Sequence, residues 1–326
     1  MNTKYIFVTG TAGYIGSLFL KKLVAENQEN KRPFKWGIIA LDIKEIPEPD
    51  RLDGVEYVQA DIRNKEWIRY FEKYPIEVVV HLAAMINPPK QMGRDVLYDI
   101  EINGSRYLLD ACVAYEVDRF ITTSSGAAYG YHADNAAWLS EKDSIRGNYE
   151  FPYSFHKRLV ENLMDQYRQN HPELKQFIFR VGTILGRTTN NLITDLFNKK
   201  TMIGIKGVES PFVFIWDKDV VDCLYQALNS EQAGIYNLAA DGALSTAELA
   251  QRMGKKYRPI SEGIMKIGLT ALKSLGIGQY GPEQIGFLKY RPLLENKKLK
   301  EEFAYHPSMK SNEVFDYYRK ENIYCA

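Results

Sequence analysis

Residues 5–16 read Tyr5-Ile-Phe-Val-Thr-Gly10-Thr-Ala-Gly13-Tyr-Ile-Gly16, and the reading of this stretch decides the fold. An apolar, β-rich run from Tyr5 to Val8 stops at Gly10, and a helical pattern begins at Tyr14. Glycine lets the backbone bend where a Cβ would clash, and it lets a phosphate approach bare N–H groups. The third glycine allows the helix to pack close to the strand. The strand–turn–helix is therefore a place to hold the pyrophosphate of a dinucleotide, with Gly10, Gly13, Tyr14, Ile15 and Gly16 as contact positions.

Moving outward, Trp36-Gly-Ile-Ile-Ala-Leu-Asp42 is a second apolar run that closes on a carboxylate, 26 residues after Gly16. An acid there accepts hydrogen bonds from the adenosine ribose and repels a 2′-phosphate, so Asp42 favours NAD over NADP. Lys44, two residues on, moderates that preference. Further strand candidates are Val55–Gln59, Val78–Leu82, Arg119–Thr123 and Gln176–Arg180, with helical patterns such as Val96–Tyr115 and Tyr153–Asn170 between them. Such alternation demands right-handed crossovers and a parallel sheet covered on both faces.

The expected fold class is α/β: a Rossmann-type doubly wound parallel sheet with a smaller, mostly helical C-terminal substrate domain. The expected division is an NAD-binding domain at 1–181, to which 213–240 returns, and a substrate-binding domain at 182–212 and 241–326. Asp217–Asn229 reads as helix and Gly234–Ala239 as strand, whereas Thr201–Phe212 has no clear period. Ser245-Thr-Ala-Glu248 has the form of a helix capping box.

With 326 residues and 45% hydrophobic content, the chain can bury a large core. A net charge of +1 gives no electrostatic case for nucleic acid or an anionic membrane. Cys112, Cys223 and Cys325 are scattered, which excludes a disulfide framework and a cysteine zinc site and suits a reducing cytoplasm. A strand begins within five residues of the N-terminus, so no signal peptide is expected. Charges interrupt the apolar stretches well short of a bilayer span. Asp42, Asp61 and His81 fall on separate strand ends, so no metal site is expected.

The catalytic candidates lie mid-chain. Tyr153-Ser-Phe-His-Lys157 opens a helix after Pro152, and the i to i+4 spacing puts Tyr153 and Lys157 on one face. A free tyrosine titrates near pH 10, too high for a base at neutral pH, but a neighbouring ammonium favours the phenolate. Upstream, Thr122-Thr-Ser-Ser-Gly-Ala-Ala-Tyr129-Gly130 follows a strand end, where open α/β sheets gather ligands. Thr123 is placed beside the cofactor, and Ser125 could donate to a substrate oxygen or merely cap the turn. His156 points away from both Tyr153 and Lys157 and reads as structural.

Together these residues resemble the extended short-chain dehydrogenase/reductase family, the group that includes UDP-galactose 4-epimerase. The resemblance runs from Thr9-Gly-x-x-Gly-x-x-Gly16 to the Leu299–Pro307 segment. It implies that Asp61 and Ile62 contact adenine, that His81-Leu82-Ala83-Ala84 closes strand four beside the cofactor, and that Asn103 serves from the following helix. It assigns Ser125 the catalytic hydroxyl, Tyr153 the base, and Lys157 the phenolate-stabilising, ribose-binding role. Ser125, Gly126, Thr183 and Asn191 are the expected substrate contacts. Family habit also implies a homodimer, pairing helices near Asn103–Tyr115 and Tyr153–Asn170 through Tyr107, Leu108, Ala111, Leu159, Leu163 and Met164.

Departures from the family pattern bear on the substrate. Nucleotide-sugar 4,6-dehydratases carry Asp-Glu after the catalytic hydroxyl; here those positions are Gly126 and Ala127, which excludes that reaction. The family's Arg-x-x-Asn becomes Arg180-Val-Gly-Thr183, and its diphosphate-binding arginine becomes Phe212. A buried diphosphate left without those partners costs roughly several kcal/mol, with Lys206, Lys218 and Arg291 available to compensate.

Three functions follow. NAD-dependent hydride transfer with return to the opposite face gives a sugar epimerase. Release of the ketone gives a dehydrogenase or reductase of a sugar, polyol or other secondary alcohol. A non-catalytic NAD sensor is the third, and retention of Ser125, Tyr153 and Lys157 speaks against it. The Ile264–Leu275 stretch, with Ile264, Ile267, Ala271, Leu272 and Leu275 on one face, is either core packing or an apolar lid over the substrate. The Met85–Met92 loop is expected to border the same cleft.

Overall fold

Apolar, β-branched runs form strands where two faces can be covered, and the central strands here are covered on both. The computed structural model describes residues 2–29, 34–86, 88–89, 91–274, 281 and 285–323. Its strands are β1 (Asn2–Thr9), β2 (Phe34–Asp42), β3 (Val55–Gln59), β4 (Ile76–His81), β5 (Arg119–Ser125), β6 (Lys175–Val181), β7 (Thr183–Leu185), β8 (Thr201–Ile205), β9 (Phe214–Trp216), β10 (Gly234–Leu238) and β11 (Lys256–Ile260). Seven of them make one sheet in the order β10-β6-β5-β4-β1-β2-β3. The order reverses between β1 and β4, the switch point at which doubly wound sheets bind ligands. Parallel register sets Thr9 beside both Leu41 and His81, so the carboxyl ends of β1, β2 and β4 gather at one place.

All six expected strands of the first 181 residues form. The chain packs as two compact units: 1–124 with 159–179 and 220–236, and 125–158 with 180–219 and 237–326. In the first, Phe7, Ile39, Val79, Phe120 and Ile178 of the sheet pack against Trp67, Phe71, Leu108, Leu163 and Met164. This packing corrects one ground for the expected dimer. Leu108, Ala111, Leu163 and Met164 are at most 4% exposed within a single chain, so they are not spare surface.

The Val96–Tyr115 helix forms as three pieces: Arg94–Tyr98, a π-helical turn over Asp99–Asn103, and Gly104–Ala114. A π turn adds a residue to the helical repeat and is frequent at functional sites. Gly104 sits where a Cβ would come within 2.7 Å of the Ile62 side chain, so this helix crosses the end of β3 at backbone range.

In the second unit, β8 and β11 pair in parallel, two strands that the expectation of a mostly helical layer did not contain. Ser245 and Glu248 do form the capping box, with Oγ of Ser245 accepting from the Glu248 amide. The Glu262–Ser274 helix overturns the core-packing reading of its Ile264 face. Met265 and Leu269 pack against Ile205, Ile260 and Ile285, while Ile264 and Ile267 are 63% and 72% exposed. Leu275 and the side chain of Leu272 lie outside the described residues. Among the described residues no helix is long and apolar enough to cross a membrane.

Candidate active site

The glycine loop owes its shape to steric necessity. Gly10 has φ +74°, and a Cβ on it would lie 2.5 Å from the Ala83 nitrogen; one on Gly16 would lie 2.1 Å from the Gly10 carbonyl oxygen. Neither position admits another residue without moving backbone. Gly13 caps the Tyr14–Gln28 helix and, being glycine, brings no side chain to the first turn of that helix. The Thr11 hydroxyl is buried with no partner among the described residues. A helix N-terminus reached across bare glycines and an orphaned hydroxyl in the loop fit a pyrophosphate, and therefore NAD.

Asp42 is held by two backbone donors, Ala12 N–H at 2.8 Å and Lys44 N–H at 2.9 Å, one on each carboxylate oxygen. Lys44, Arg51 and Thr11 line a small cavity with it. Behind the loop runs a buried chain of hydrogen bonds. Thr9 Oγ1 lies 2.7 Å from His81 Nδ1 and accepts from Ala83 N–H, and His81 Nε2 lies 3.1 Å from Ser105 Oγ. Ser105 in turn donates to the Glu101 carbonyl. The buried Glu101 side chain, on the π turn, accepts from Met85 N–H and so fixes the segment after Leu82, Ala83 and Ala84.

Asp61 turns its carboxylate to Arg63, accepting from the backbone N–H and from the guanidinium, which holds the carboxyl below its usual range. Ile62 is buried, and Asn103 donates to Asp99 at 2.9 Å. Thr123 is half-buried on β5.

The second unit holds the three expected catalytic side chains. Ser125 ends β5 and caps the Gly126–Tyr129 turn, where its Oγ accepts from Ala127 N–H at 3.1 Å. Accepting there leaves the hydroxyl proton available to donate. Tyr153 and Lys157 rise from the Pro152–Asn170 helix, with Lys157 Nζ 5.8 Å from the centre of the Tyr153 ring. Lys157 is 7% exposed and has no ion-pair partner among the described residues. A nearly buried ammonium without a carboxylate is costly unless a ligand meets it.

Aromatic rings extend from Tyr153. Phe151 lies 6.1 Å from it by ring centres, and Phe287 lies 4.9 Å from Phe151 and 4.7 Å from Tyr131. Burial pushes the Tyr131 hydroxyl well above its usual range. Gly126 lies against Leu294, whose side chain a Cβ would approach to 3.1 Å.

Phe212 is 3% exposed, and the Arg291 guanidinium lies 3.7 Å from its ring centre. One guanidinium nitrogen donates to the Ser210 carbonyl at 2.8 Å, and Nε is buried without a partner among the described residues. Burial lowers the Arg291 pKa to about 10. Of the three cations read as substitutes for the lost arginine, Arg291 is the one stacked on Phe212. Thr183 pairs with Phe214 across β7 and β9. Asn191, expected as a substrate contact, is spent on capping the Leu192–Phe197 helix, where its Oδ1 accepts from Ile193 and Thr194 N–H. No group of three metal-ligating side chains occurs among the described residues.

Tyr131, Glu101 and the partner of Arg291 went unread in the sequence, because each owes its role to a group distant along the chain; Thr11 went unread as well. Only the place of Thr11 inside the glycine motif offered a signal.

A family model described as "NAD dependent epimerase/dehydratase family" matches residues 6–239. An uncharacterized protein of Mycobacterium tuberculosis is 24% identical over 323 residues, 97% of this chain and 83% of that one. A dTDP-D-glucose 4,6-dehydratase of Dictyostelium discoideum is 26% identical over 280 residues, 76% of this chain and 61% of its own. Among solved structures, a UDP-glucose 4-epimerase of Thermotoga maritima with UDP-glucose superposes with TM-score 0.72 at 19% identity, covering 98% of this chain and 99% of its own. A dTDP-glucose 4,6-dehydratase of Bacillus anthracis in complex with NAD does so at 0.73 and 17%, covering 98% and 97%.

Proposed function

Because this chain belongs to the NAD-dependent epimerase/dehydratase family, we propose that it inverts a secondary alcohol centre of a sugar by transient oxidation and re-reduction. Bound NAD supplies the reversible two-electron chemistry. Tyr153 Oη takes the proton of the substrate hydroxyl and later returns it. The Lys157 ammonium favours the phenolate needed for the first of these transfers, and Ser125 donates to the substrate oxygen. The observation that carries this reading is the nearly buried Lys157, one turn from Tyr153 and without an ion-pair partner among the described residues.

Gly126 and Ala127 offer no carboxylate for water loss, which favours epimerisation over dehydration. Arg291, stacked on Phe212 with an unspent buried Nε, supports a substrate with an anionic substituent, a phosphorylated or nucleotide-linked sugar. Phe212 and Thr183 in place of the usual diphosphate ligands favour a second reading, in which a less highly charged alcohol is oxidised and the ketone released.

The same proposal takes 1–181 with 213–240 as the NAD-binding part, a homodimer as the assembly, and the cytoplasm as the compartment. The buried Cys112 and Cys223, far apart along the chain, support that compartment. The test is to incubate the protein and NAD with nucleotide hexoses, hexose phosphates and neutral hexoses. Proton NMR reads inversion, and absorbance of the reduced nicotinamide reads net oxidation. Inversion without net reduced cofactor is expected; accumulation of reduced cofactor with ketone selects the second reading, and binding of NAD with neither sinks both.

A further inference from the structure

The net charge of +1 conceals an uneven distribution. Segments 196–209 and 255–274 together carry eight lysines and arginines against two carboxylates, Glu209 and Glu262, a local charge of +6. These segments are one packed module. Lys256 and Arg258 of β11 pair in register with Thr201 and Ile203 of β8, and the Glu262–Ser274 helix buries Met265 and Leu269 against Ile205 and Ile260. Lys199, Lys200, Lys206, Lys256, Arg258, Lys266 and Lys273 are all exposed.

The same module presents apolar side chains to solvent. Ile264 and Ile267, at i and i+3 on the helix, are 63% and 72% exposed, and Ile203 on β8 is 59% exposed. Ala271, one turn further along that helical face, is exposed as well. The helix thus has two apolar stripes, and its own core uses one.

We propose that this module docks on an anionic lipid surface, with Ile264 and Ile267 entering the headgroup–acyl boundary and the surrounding cations meeting lipid phosphates. Exposed apolar side chains on a module with an excess of lysine and arginine are what an interfacial helix presents to such a surface. A second copy of the chain fits poorly, since a two-fold contact would oppose two surfaces of +6 each. Nucleic acid also fits poorly, because isoleucines offer bases neither stacking nor hydrogen bonds. The docking is linked to the candidate site by one short helix, Ile285–Lys289. Its Ile285 packs with Met265 and its Phe287 against Tyr131 and Phe151. The proposal does not depend on the proposed sugar chemistry.

The experiment is co-sedimentation of the full chain with phosphatidylcholine vesicles, with and without about one third phosphatidylglycerol, at about 0.15 M salt. Binding to the anionic vesicles alone is expected, weakened at about 1 M salt. Replacing both isoleucines (Ile264→Asn with Ile267→Asn) is expected to lower partitioning about tenfold or more, and Lys256→Glu with Arg258→Glu to do the same. Unchanged NAD affinity and circular dichroism establish that the variants fold. No binding to anionic vesicles, equal binding to neutral ones, or undiminished binding by the isoleucine variant overturns the proposal. So does dissociation of an oligomer by that variant in sedimentation velocity, or tighter binding to duplex DNA than to vesicles.

Discussion

A single methyl group is decisive in the glycine loop. Gly10→Ala places a Cβ against the Ala83 amide at a positive φ, and it is expected to abolish NAD binding and cost about 1–3 kcal/mol of stability, read by calorimetry and thermal melts. At the proposed proton-transfer site, Tyr153→Phe keeps the ring and removes the hydroxyl assigned the exchange. A fall in kcat of about 10²-fold or more with unchanged NAD affinity is expected. Lys157→Ala damages both quantities, and Ser125→Ala costs about 2–4 kcal/mol of transition-state stabilisation. Near-wild-type turnover by Tyr153→Phe would end the proposed mechanism.

Asp42→Ala is expected to narrow the NAD preference, because Lys44 and Arg51 already line the same cavity. Tighter binding of NADP than NAD by the wild type contradicts the reading of β2. The Asp61 carboxyl, depressed by Arg63, adds stability above its unfolded pKa of about 3.9 and loses it as pH falls through the lower folded value. The stability difference between wild type and Arg63→Ala, from urea midpoints, is therefore expected at pH 7 and to shrink in acid.

Among the elements, the helix that carries Tyr153 and Lys157 is tied to the sheet by a buried hydrogen bond. Ser124 donates to Glu161, a carboxylate 3% exposed and one turn beyond Lys157. Ser124 also precedes Ser125, so this bond joins the helix to the strand that ends in the proposed catalytic hydroxyl. Glu161→Ala leaves Ser124 unpaired and is expected to cost about 1–3 kcal/mol in denaturant unfolding and to lower kcat; Glu161→Gln, which still accepts, is expected to restore much of both. The alternation of the sheet strands was legible because buried parallel strands are continuous apolar runs. The π turn at Asp99–Asn103 was not, since its periodicity differs from the α-helix by a single residue. Nor were β8 and β11, short strands whose pairing depends on contact between segments 55 residues apart.

For the whole molecule, light scattering at micromolar concentration is expected to report a homodimer; a monomer refutes it. Burial of Leu108, Ala111, Leu163 and Met164 leaves partly buried apolar groups such as Tyr107, Val113, Leu159 and Tyr167 on those helices for contact. Cys112 and Cys223 are buried, and burial pushes the Cys112 thiol well up, so neither is expected to react with a thiol reagent until the protein unfolds.

By itself the sequence determined the local chemistry: where glycine must turn the chain, where a carboxylate ends a strand, and which tyrosine has a lysine one turn away. These are short-range facts of spacing and steric size, complete within a few residues. Tertiary structure decided what depends on partners far along the chain. It set Arg291 on Phe212, committed Asn191 to a helix cap, buried four of the six side chains expected to pair in a dimer, and left Ile264 and Ile267 outside. Periodicity names the stripes of a helix, but only the neighbours that arrive by folding select the stripe that leaves water.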